Sequence, residues 1–567
     1  MRSLRARVLL CGVLVAALGP ATSASAEPAR SADSFVDSVG VNVHMNYGDT
    51  VYRNHALLID ELAKAGIRHV RDGLSWNTES AYATFNQLAD RGIGVTFIMG
   101  DPSERRDTLD QLLTALRTRV RRAADAVEGP NEYSSSGDPD WAAHLRAYQQ
   151  RLYSAVKGDP TLSQLPVIGP SLITWQDYAA LGDMRSALDF GNKHPYPGGD
   201  IPEANLDSEL STAARESGDR PIWATESGYH NALATTGGHR PASEAAAATY
   251  LPRMYLEYFR RGIARTFAYE LIDLWPNPAM NDQESHFGLL RNDYSEKPAY
   301  GRIANLTSIL SDRGPAFSAQ PLDLTIASGP TDLHRLLLEK RDGSYHLVLW
   351  RAERVWDPAT RQPVAAGAAN VHVDLGSAAA SGFQGAQLFD PAAGTTPRST
   401  FASVQHFDVS VGPDPMIVKL VPGAPATVTP TPTTPPASTP PASKPPTTTI
   451  PPASNPHPVV PPPAKPPVPP RVTVRHHQRL RKVLHEGLLL RCWSPGSTAC
   501  TAIAWRGHEV LGVGVHASGS APLRVRLTAP GRRLVRRAMR RHRSMKLRLL
   551  AVAPGGRPAY RRVVVTP

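Results

Sequence analysis

The sequence predicts an α/β fold: a (β/α)8 TIM barrel followed by a β-sandwich, a Pro/Thr-rich linker and a small basic β-rich C-terminal module. Helix-like and strand-like segments alternate over roughly the first half of the 567 residues, which is typical of a parallel sheet covered by helices. The apolar period then changes to two, as in half-buried strands. A proline-rich stretch that favours an extended spacer separates the remainder.

One helix-to-strand joint repeats three times in the first part of the chain. An amphipathic helix stops at Gly66, Gly92 or Gly262, and an apolar strand starts at the isoleucine that follows. Glycine suits this joint because the residue after a helix often needs a positive φ. Eight strands are predicted in total, as in a (β/α)8 barrel: Ser38–His44, Ile67–Arg71, Gly94–Met99, Ala124–Gly129, Val167–Pro170, Ala187–Asn192, Pro221–Thr225 and Arg265–Leu271.

An open doubly wound sheet is the competing fold for this part of the chain. Such a sheet that binds nucleotides has a Gly-rich phosphate turn after its first strand. Here the turn reads His44-Met-Asn-Tyr-Gly-Asp49 and lacks that pattern. The barrel is therefore favoured.

Composition divides the chain into five regions. Residues 1–26 are predicted to be a signal peptide, since a basic start (Arg2, Arg5, Arg7) precedes a short apolar run and a small-residue cleavage site. The other four are the barrel (27–310), the β-sandwich (311–423), the linker (424–470) and the C-terminal module (471–567); the linker holds 20 of the 53 prolines. No later apolar run reaches the roughly 18 residues of a membrane helix. The protein is therefore predicted to be secreted or associated with the cell envelope.

Two of the regions that follow the barrel are predicted to be rich in strands. In the sandwich, alternating residues predict strands over Tyr345–Trp350, Asn370–Leu375 and Pro415–Leu420. In the C-terminal module, strands are predicted at Leu523–Leu527, Lys546–Leu550 and Arg562–Val565, with a short helix at Arg532–Arg541. Cys492 and Cys500 lie in the same module, and two cysteines in an exported protein indicate a disulfide, since two ligands are too few for a metal site.

The net charge of +12 is the sum of an acidic region and a strongly basic one. The C-terminal module carries 21 Lys/Arg against 2 Asp/Glu, whereas residues 27–423 are net acidic. A basic surface can bind nucleic acid, but export favours anionic polymers of the cell envelope as the partner. A solvated basic surface without a dedicated partner is the alternative.

Two glutamates follow predicted strands of the barrel. Glu132 comes after the fourth strand, in Glu128-Gly-Pro-Asn-Glu132, and Glu226 comes after the seventh, in Thr225-Glu-Ser227. The carboxyl ends of the strands meet on one face of a barrel, where active sites lie. Two carboxyl groups on that face are the tools of glycoside hydrolysis, one as proton donor and one as nucleophile. The alternative is a pair of structural carboxylates at the barrel mouth.

The residues around these glutamates resemble glycoside hydrolase clan A, the retaining (β/α)8-barrel glycosidases. The resemblance covers residues 36–303 and rests on Asn131-Glu132, on Glu226, and on Phe287-Gly-Leu-Leu290 with the Lys297-Pro-Ala-Tyr300 that follows it. A barrel followed by a sandwich is most similar to families 39 and 5. The resemblance implies that Glu132 is the general acid/base and that Glu226 is the nucleophile.

The same resemblance implies four substrate-binding residues. Asn131 would contact the sugar 2-hydroxyl, Arg71 would lie near the nucleophile, and His194 and Tyr196 would form the polar and aromatic pair after the sixth strand. These roles agree with the chemistry, because an arginine lowers the pKa of a neighbouring carboxyl group. Tyr196 could donate a hydrogen bond to the same carboxylate.

Two further residues are candidate substrate contacts by position, and packing within the barrel is the alternative for each. His44 ends the first strand, and Trp275 lies in the loop after the eighth, where an aromatic face can stack on a sugar ring. Many clan members place a tryptophan at the end of the eighth strand, whereas this chain has Phe267-Ala-Tyr-Glu270 there. For Glu128 and Glu270 a structural role inside the barrel is favoured.

These observations predict a secreted retaining glycoside hydrolase that acts on a polysaccharide or oligosaccharide. No cofactor or metal is expected, since no His/Asp/Glu cluster has the spacing of a ligand set. Two alternatives stay open: a non-catalytic carbohydrate-binding protein on the same scaffold, and a transglycosylase that uses the same glutamates.

Overall fold

The computed structural model describes the barrel and sandwich continuously and the C-terminal module in segments. The described residues are 26–423, 471–474, 477–479, 482–484, 488–493, 499–506, 509–517, 523–527, 529–541, 545–552 and 559–566. The predicted signal peptide, but for Ala26, and the predicted linker lie outside them. The chain separates into two compact units, Met1–Pro432 and Thr433–Pro567.

The first unit contains a parallel eight-stranded sheet, as predicted. Its strands, β1 to β8, are Val39–Asn42, His69–Gly73, Gly94–Ile98, Ala124–Glu128, Val167–Ile168, Gly191–Lys193, Ile222–Ser227 and Arg265–Ala268. Every pairing between them is parallel, with β1 between β2 and β8. A parallel bridge between Ile168 and Phe190 joins β5 to the start of β6. The sheet is therefore closed, and the doubly wound alternative is wrong.

Helices surround this barrel. They are α1 to α9, over Ala32–Asp37, His55–Lys64, Glu79–Asp90, Leu109–Thr118, Trp141–Gly158, Trp175–Leu181, Leu206–Ser217, Glu244–Arg260 and Pro298–Leu310. At the repeated joint, Gly66, Gly92 and Gly262 have φ of 70°, 69° and 86°, so the left-handed conformation predicted there is confirmed. Among the described residues, no helix combines the length and the apolar character that crossing a membrane requires.

The sixth barrel strand starts later than predicted. Ala187 belongs to a 3-10 turn, Arg185–Ala187, and β6 begins at Gly191. Gln149 explains the difference, because its side-chain amide donates a hydrogen bond of 3.0 Å to the carbonyl of Ala187. A contact from a distant helix therefore holds this segment out of the ladder.

The β-sandwich follows the barrel as predicted. Its eight longer strands, β9 to β16, are Leu324–Ser328, Leu333–Glu339, Tyr345–Arg351, Ala369–Leu375, Phe383–Phe389, Pro397–Phe401, His406–Val411 and Met416–Pro422. β9, β12 and β15 form a three-stranded sheet, and the other five form a larger sheet. A short strand near the N-terminus, Arg30–Ser31, pairs in parallel with β10. The segment before the barrel thus completes the sandwich.

The described residues of the second unit lie mainly in strands. Its described strands, β17 to β24, are Arg471–Val474, His477–Arg479, Leu488–Trp493, Ala499–Arg506, Glu509–Ala517, Leu523–Leu527, Met545–Val552 and Ala559–Thr566, and its helix, α10, is Ala529–Arg540. Cys492 lies in β19 and Cys500 in β20. Their side chains are outside the described part of the structure, so the disulfide stays a prediction.

Candidate active site

The predicted residues meet at the carboxyl ends of the barrel strands. Arg71 lies in β2, Glu132 follows β4, His194 follows β6 and Glu226 lies in β7. Parallel strands deliver their carboxyl ends to one face of the barrel, so residues as far apart in sequence as Arg71 and Glu226 come into contact. The structure thus places these residues at one site.

Glu226 is held by two hydrogen bonds from charged and polar donors. Arg71 Nη1 donates to Glu226 Oε1 at 2.6 Å, and the Tyr196 hydroxyl donates to Oε2 at 2.9 Å. His194 Nδ1 lies 3.5 Å from Oε2. Burial alone raises the pKa of Glu226, but the charges of His194 and Arg71, with the hydrogen bonds from Arg71 and Tyr196, hold that pKa at about 2. Glu226 is therefore ionised at neutral pH.

Arg71 is itself fixed by a buried carboxylate. Its Nε and Nη2 donate to the two oxygens of Glu128 at 2.6 and 2.8 Å, and Glu128 is fully buried. Its Nη2 also donates to Asn131 Oδ1 at 2.7 Å. A bidentate arginine–carboxylate pair is geometrically specific. Glu128 therefore positions the guanidinium that contacts Glu226, in agreement with its predicted structural role inside the barrel.

Glu132 stands at a tight turn after β4. Its φ is 46°, in the left-handed region, and its backbone N–H donates to the Ser171 carbonyl and hydroxyl, each at 3.1 Å. These bonds come from the segment after β5, so the neighbouring strand holds the turn in place. The Ser171 hydroxyl also donates to Asn131 Oδ1 at 3.1 Å. The amide of Asn131 is thereby oriented beside Glu132.

His194 connects the two glutamates. Its Nδ1 lies 2.9 Å from Glu132 Oε1, and its Nε2 lies 3.1 Å from the Thr225 hydroxyl. One carboxylate oxygen of Glu132 and one of Glu226 lie within 4.8 Å of each other and of His194. Retaining glycosidases have carboxyl groups about 5–5.5 Å apart, and inverting ones about 6.5–9.5 Å apart. The upper limit of 4.8 Å between the nearest oxygens of the two glutamates is below the inverting range.

A cavity of about 600 Å³ opens over this pair. Of the residues predicted for the site, it is lined by Arg71, Asn131, Glu132, Tyr196, Glu226 and His44. His44 stacks on Tyr47 with ring centroids 4.6 Å apart. Burial lowers the pKa of His44 to about 4, so its imidazole is neutral at the cavity wall.

His194, which is buried, is not among the lining residues. Trp275, the other remaining predicted contact, is not among them either. It is partly buried and packs against the hydrophobic core of the barrel. Tyr269 lines the cavity instead, packing edge-on against Phe287 with centroids 5.2 Å apart. Tyr269 directly follows β8, whereas six residues separate β8 from Trp275. Because of this separation, the indole of Trp275 lies away from the strand ends. The aromatic at the end of the eighth strand is thus a tyrosine.

Several polar residues of the cavity were not predicted, among them Asp72, His239 and Glu284. Asp72 is buried beside Arg71, and burial raises the pKa of Asp72 to about 8, although its carboxylate accepts backbone hydrogen bonds from Met45 and Gly73. Its place at the end of β2 is the signal that could have identified it. His239 and Glu284 come from long loops after β7 and β8, where no sequence pattern distinguishes them.

A second cavity, of about 790 Å³, adjoins the first. The two share Asp101, Asn131 and Glu132 as lining residues, whereas Glu226 lines only the first. The Glu132 side chain is 33% exposed and that of Glu226 is 13% exposed. Glu132 therefore faces both cavities.

No protein-family model matches the chain, and no curated protein does. Among solved structures, it is similar to a family 39 glycoside hydrolase from Bacteroides cellulosilyticus WH2, with 16% identity, 69% of this chain and 82% of that one covered, and a TM-score of 0.49. It is also similar to the GH39 enzyme of Xanthomonas axonopodis pv. citri (14% identity, 72% and 100% covered, TM-score 0.45). A monomeric β-xylosidase from Caulobacter crescentus CB15 is a third (14% identity, 70% and 98% covered, TM-score 0.45).

These similar structures are all glycosidases, and two belong to a family that the sequence itself resembles. The sequence identities are low, and the TM-scores lie below 0.5.

Proposed function

We propose that the protein is a retaining glycoside hydrolase that cleaves O-glycosidic bonds of a polysaccharide or oligosaccharide by double displacement. The observation that carries the proposal is the pairing of an ionised Glu226 with a second carboxyl group, Glu132, whose oxygen lies within 4.8 Å. A nucleophile and a proton donor at this separation are what the two steps need. No cofactor takes part in the proposed reaction.

In the first step, Glu226 attacks the anomeric carbon, and the bond from that carbon to the leaving oxygen breaks. Glu132 transfers its proton to the leaving oxygen, so the aglycone departs as a neutral alcohol. The hydrogen bonds from Arg71 and Tyr196 keep Glu226 ionised before the attack. The product of this step is a covalent glycosyl ester on Glu226.

In the second step, Glu132 is a carboxylate and acts as the base. It takes a proton from a water molecule, which attacks the anomeric carbon and releases Glu226. His194, at 2.9 Å from Glu132 Oε1, keeps the carboxyl group oriented for both transfers. The sugar leaves with its original anomeric configuration because the carbon has been inverted twice.

The two cavities suggest where the substrate lies. The first contains Glu226, so it receives the sugar whose anomeric carbon is attacked. The second meets the first at Glu132, so it receives the leaving group that Glu132 protonates. Asn131 borders both cavities, and Arg71 and Ser171 fix its amide oxygen. Its NH₂ group can donate to the 2-hydroxyl of the bound sugar.

We further propose that the chain is exported and held at the cell envelope by its C-terminal module. The basic, apolar and small-residue pattern of residues 1–26 supports export. The 21 basic residues of the module, against 2 acidic ones, support binding to anionic polymers.

The test is an activity screen on aryl glycosides and β-glycans, with NMR of the first-formed product. We expect a hydrolysed product that keeps the anomeric configuration, and no turnover by the Glu226→Ala variant. A product of inverted configuration would overturn the double displacement. Glycan binding without turnover would establish the non-catalytic alternative, and larger oligosaccharides as main products would establish the transglycosylase.

A further inference from the structure

The β-sandwich contains the pattern His-X-Asp twice, on neighbouring strands. His372-Val-Asp374 lies in β12 and His406-Phe-Asp408 lies in β15. The two strands are antiparallel, and their register places His372 opposite Asp408 and Asp374 opposite His406. The residue between each histidine and aspartate is buried in the sandwich core. Two imidazoles and two carboxylates therefore project from the outer face of one sheet.

Three of these side chains bring donor atoms to one place. A ring nitrogen of His372, a carboxylate oxygen of Asp374 and a ring nitrogen of His406 all lie within 4.8 Å of one another. His372 Nε2 is 3.3 Å from Asp374 Oδ1, and His406 Nδ1 is 2.5 Å from the same oxygen. The two imidazole rings are nearly parallel, with an interplanar angle of 7° and centroids 6.4 Å apart. This arrangement leaves both rings facing the same carboxylate.

The fourth residue orients one of the rings. His372 Nδ1 lies 2.8 Å from Asp408 Oδ1. A carboxylate on one ring nitrogen places the proton there and leaves the other nitrogen with its lone pair, which is the usual arrangement of a metal-binding histidine. Asp408 therefore presents His372 Nε2 as a ligand, on the side where Asp374 and His406 lie.

Contrary to the expectation from the sequence that no metal is bound, we propose that His372, Asp374 and His406 bind one divalent transition-metal ion of the zinc type, with Asp408 orienting His372. Two imidazole nitrogens and one carboxylate oxygen suit Zn²⁺ and its neighbours, whereas Ca²⁺ and Mg²⁺ take mainly oxygen ligands. Water completes the coordination on the exposed side. The ion links β12 to β15 and stabilises the three-stranded sheet of the sandwich.

Two other groups among the described residues bring potential ligand atoms equally close. Glu132, His194 and Glu226 form the candidate active site, where each already serves the proposed reaction. In the other group, Glu203 pairs with Arg253 at 2.8 Å and Glu257 pairs with Arg260 at 2.7 Å. Guanidinium groups compete with a cation for those carboxylates, so that group is not proposed as a metal site.

The test titrates Zn²⁺ and Co²⁺ into the metal-free full chain, following heat for Zn²⁺ and visible absorption for Co²⁺. We expect one metal ion to bind per chain. This binding should be lost in His372→Ala and in His406→Ala, and it should be about 10–100-fold weaker in Asp408→Ala. The side chains of His372 and His406 are 37% and 57% exposed, so these variants keep the sandwich core. Zn²⁺ should raise the Tm of the wild type but not that of His406→Ala.

His144→Ala is the matched control, because His144 also forms an exposed pair with an aspartate, Asp138, at 2.7 Å. Within the described part of the chain, however, this pair belongs to no group of three potential metal ligands. This variant should still bind one ion per chain. The proposal would be overturned if the wild type showed no saturable metal binding. It would also be overturned if one ion per chain still bound to both His372→Ala and His406→Ala. Loss of the binding in Glu132→Gln would place the ion at the active site and would overturn it as well.

Discussion

The hydrogen bond from Tyr196 to Glu226 should set the acid limit of activity. The substitution Tyr196→Phe removes the donor 2.9 Å from Glu226 Oε2 and leaves the ring in place. That hydrogen bond favours the ionised carboxylate, so its loss raises the pKa of Glu226. Catalysis needs the ionised form, and activity should therefore fail at a higher pH in the variant.

The size of this shift follows from the structure. The pKa of Glu226 is about 2 instead of 4.5, which corresponds to about 3 kcal/mol in favour of the charged form. This net value contains the opposing effect of burial, and the hydrogen bond from Tyr196 is the smallest of the contributions from His194, Arg71 and Tyr196. A hydrogen bond to a charged group contributes about 1.5–3 kcal/mol. The lower end of that range applies, so Tyr196→Phe should raise the pKa of Glu226 by about one unit or slightly more.

The assay is the pH profile of kcat/KM on an aryl glycoside with a good leaving group. Such a substrate needs no proton in the first step, so the acid limb of the profile reports Glu226 and not Glu132. The limb should move from about pH 2 to about pH 3 or above in Tyr196→Phe, while the alkaline side stays in place. Activity at neutral pH should be recorded after each acid incubation, to separate titration from unfolding.

Tyr229→Phe is the matched control for this measurement. The Tyr229 hydroxyl is buried and has no hydrogen-bond partner among the described residues, so its removal should leave the acid limb unchanged. Coincident acid limbs for the wild type and Tyr196→Phe would refute the assigned role of Tyr196. An equal shift in both variants would show that the effect is general and not transmitted through Glu226.

Three further predictions concern the catalytic pair, its anchor and the C-terminal module. Glu226→Ala should abolish turnover, and azide should restore it with a product of inverted configuration. Glu132→Ala should lower the rate on substrates with poor leaving groups by roughly 10²–10⁴-fold and leave the first step unchanged for substrates with good leaving groups. Rates on a series of leaving groups will measure this. Arg71→Met should lower the free energy of unfolding by about 3–5 kcal/mol, because it leaves the buried Glu128 without its charged partner, while Asn192 and Thr225 still donate to that carboxylate. Urea denaturation measures this loss, and a loss below about 1 kcal/mol would show that Arg71 is not the partner that stabilises Glu128. Deleting residues 471–567 should leave turnover of a soluble substrate unchanged but release the protein from cell walls, and wild-type binding should weaken as salt rises; salt-independent binding would indicate a shaped sugar site instead.

The barrel could be predicted because its signals are local. Alternating helix and strand patterns and three glycines at helix ends define βα units without knowledge of distant contacts. The strands so predicted agree closely with those observed, except at β6. There the amide of Gln149 binds the carbonyl of Ala187, and no local pattern contains that contact.

The positions of Glu132 and Glu226 were predictable for the same reason. Each follows a strand of a parallel barrel, and the topology brings all such positions to one face. Arg71, His194 and Tyr196 were predicted through the resemblance to clan A, and they too end or follow strands. The sequence by itself therefore determined the barrel, its active face and the residues that stand on it.

The tertiary structure decided which of those residues touch one another and how the site is enclosed. Only the closed barrel shows that Glu128 holds Arg71 against Glu226 and that Tyr269, not Trp275, lines the cavity. His239 and Glu284 reach the cavity from long loops, whose course depends on packing over the whole barrel face. Strand ends are set by short-range pattern, whereas side-chain direction and loop path are set by contacts between residues far apart in sequence, and no single stretch of the chain encodes those contacts.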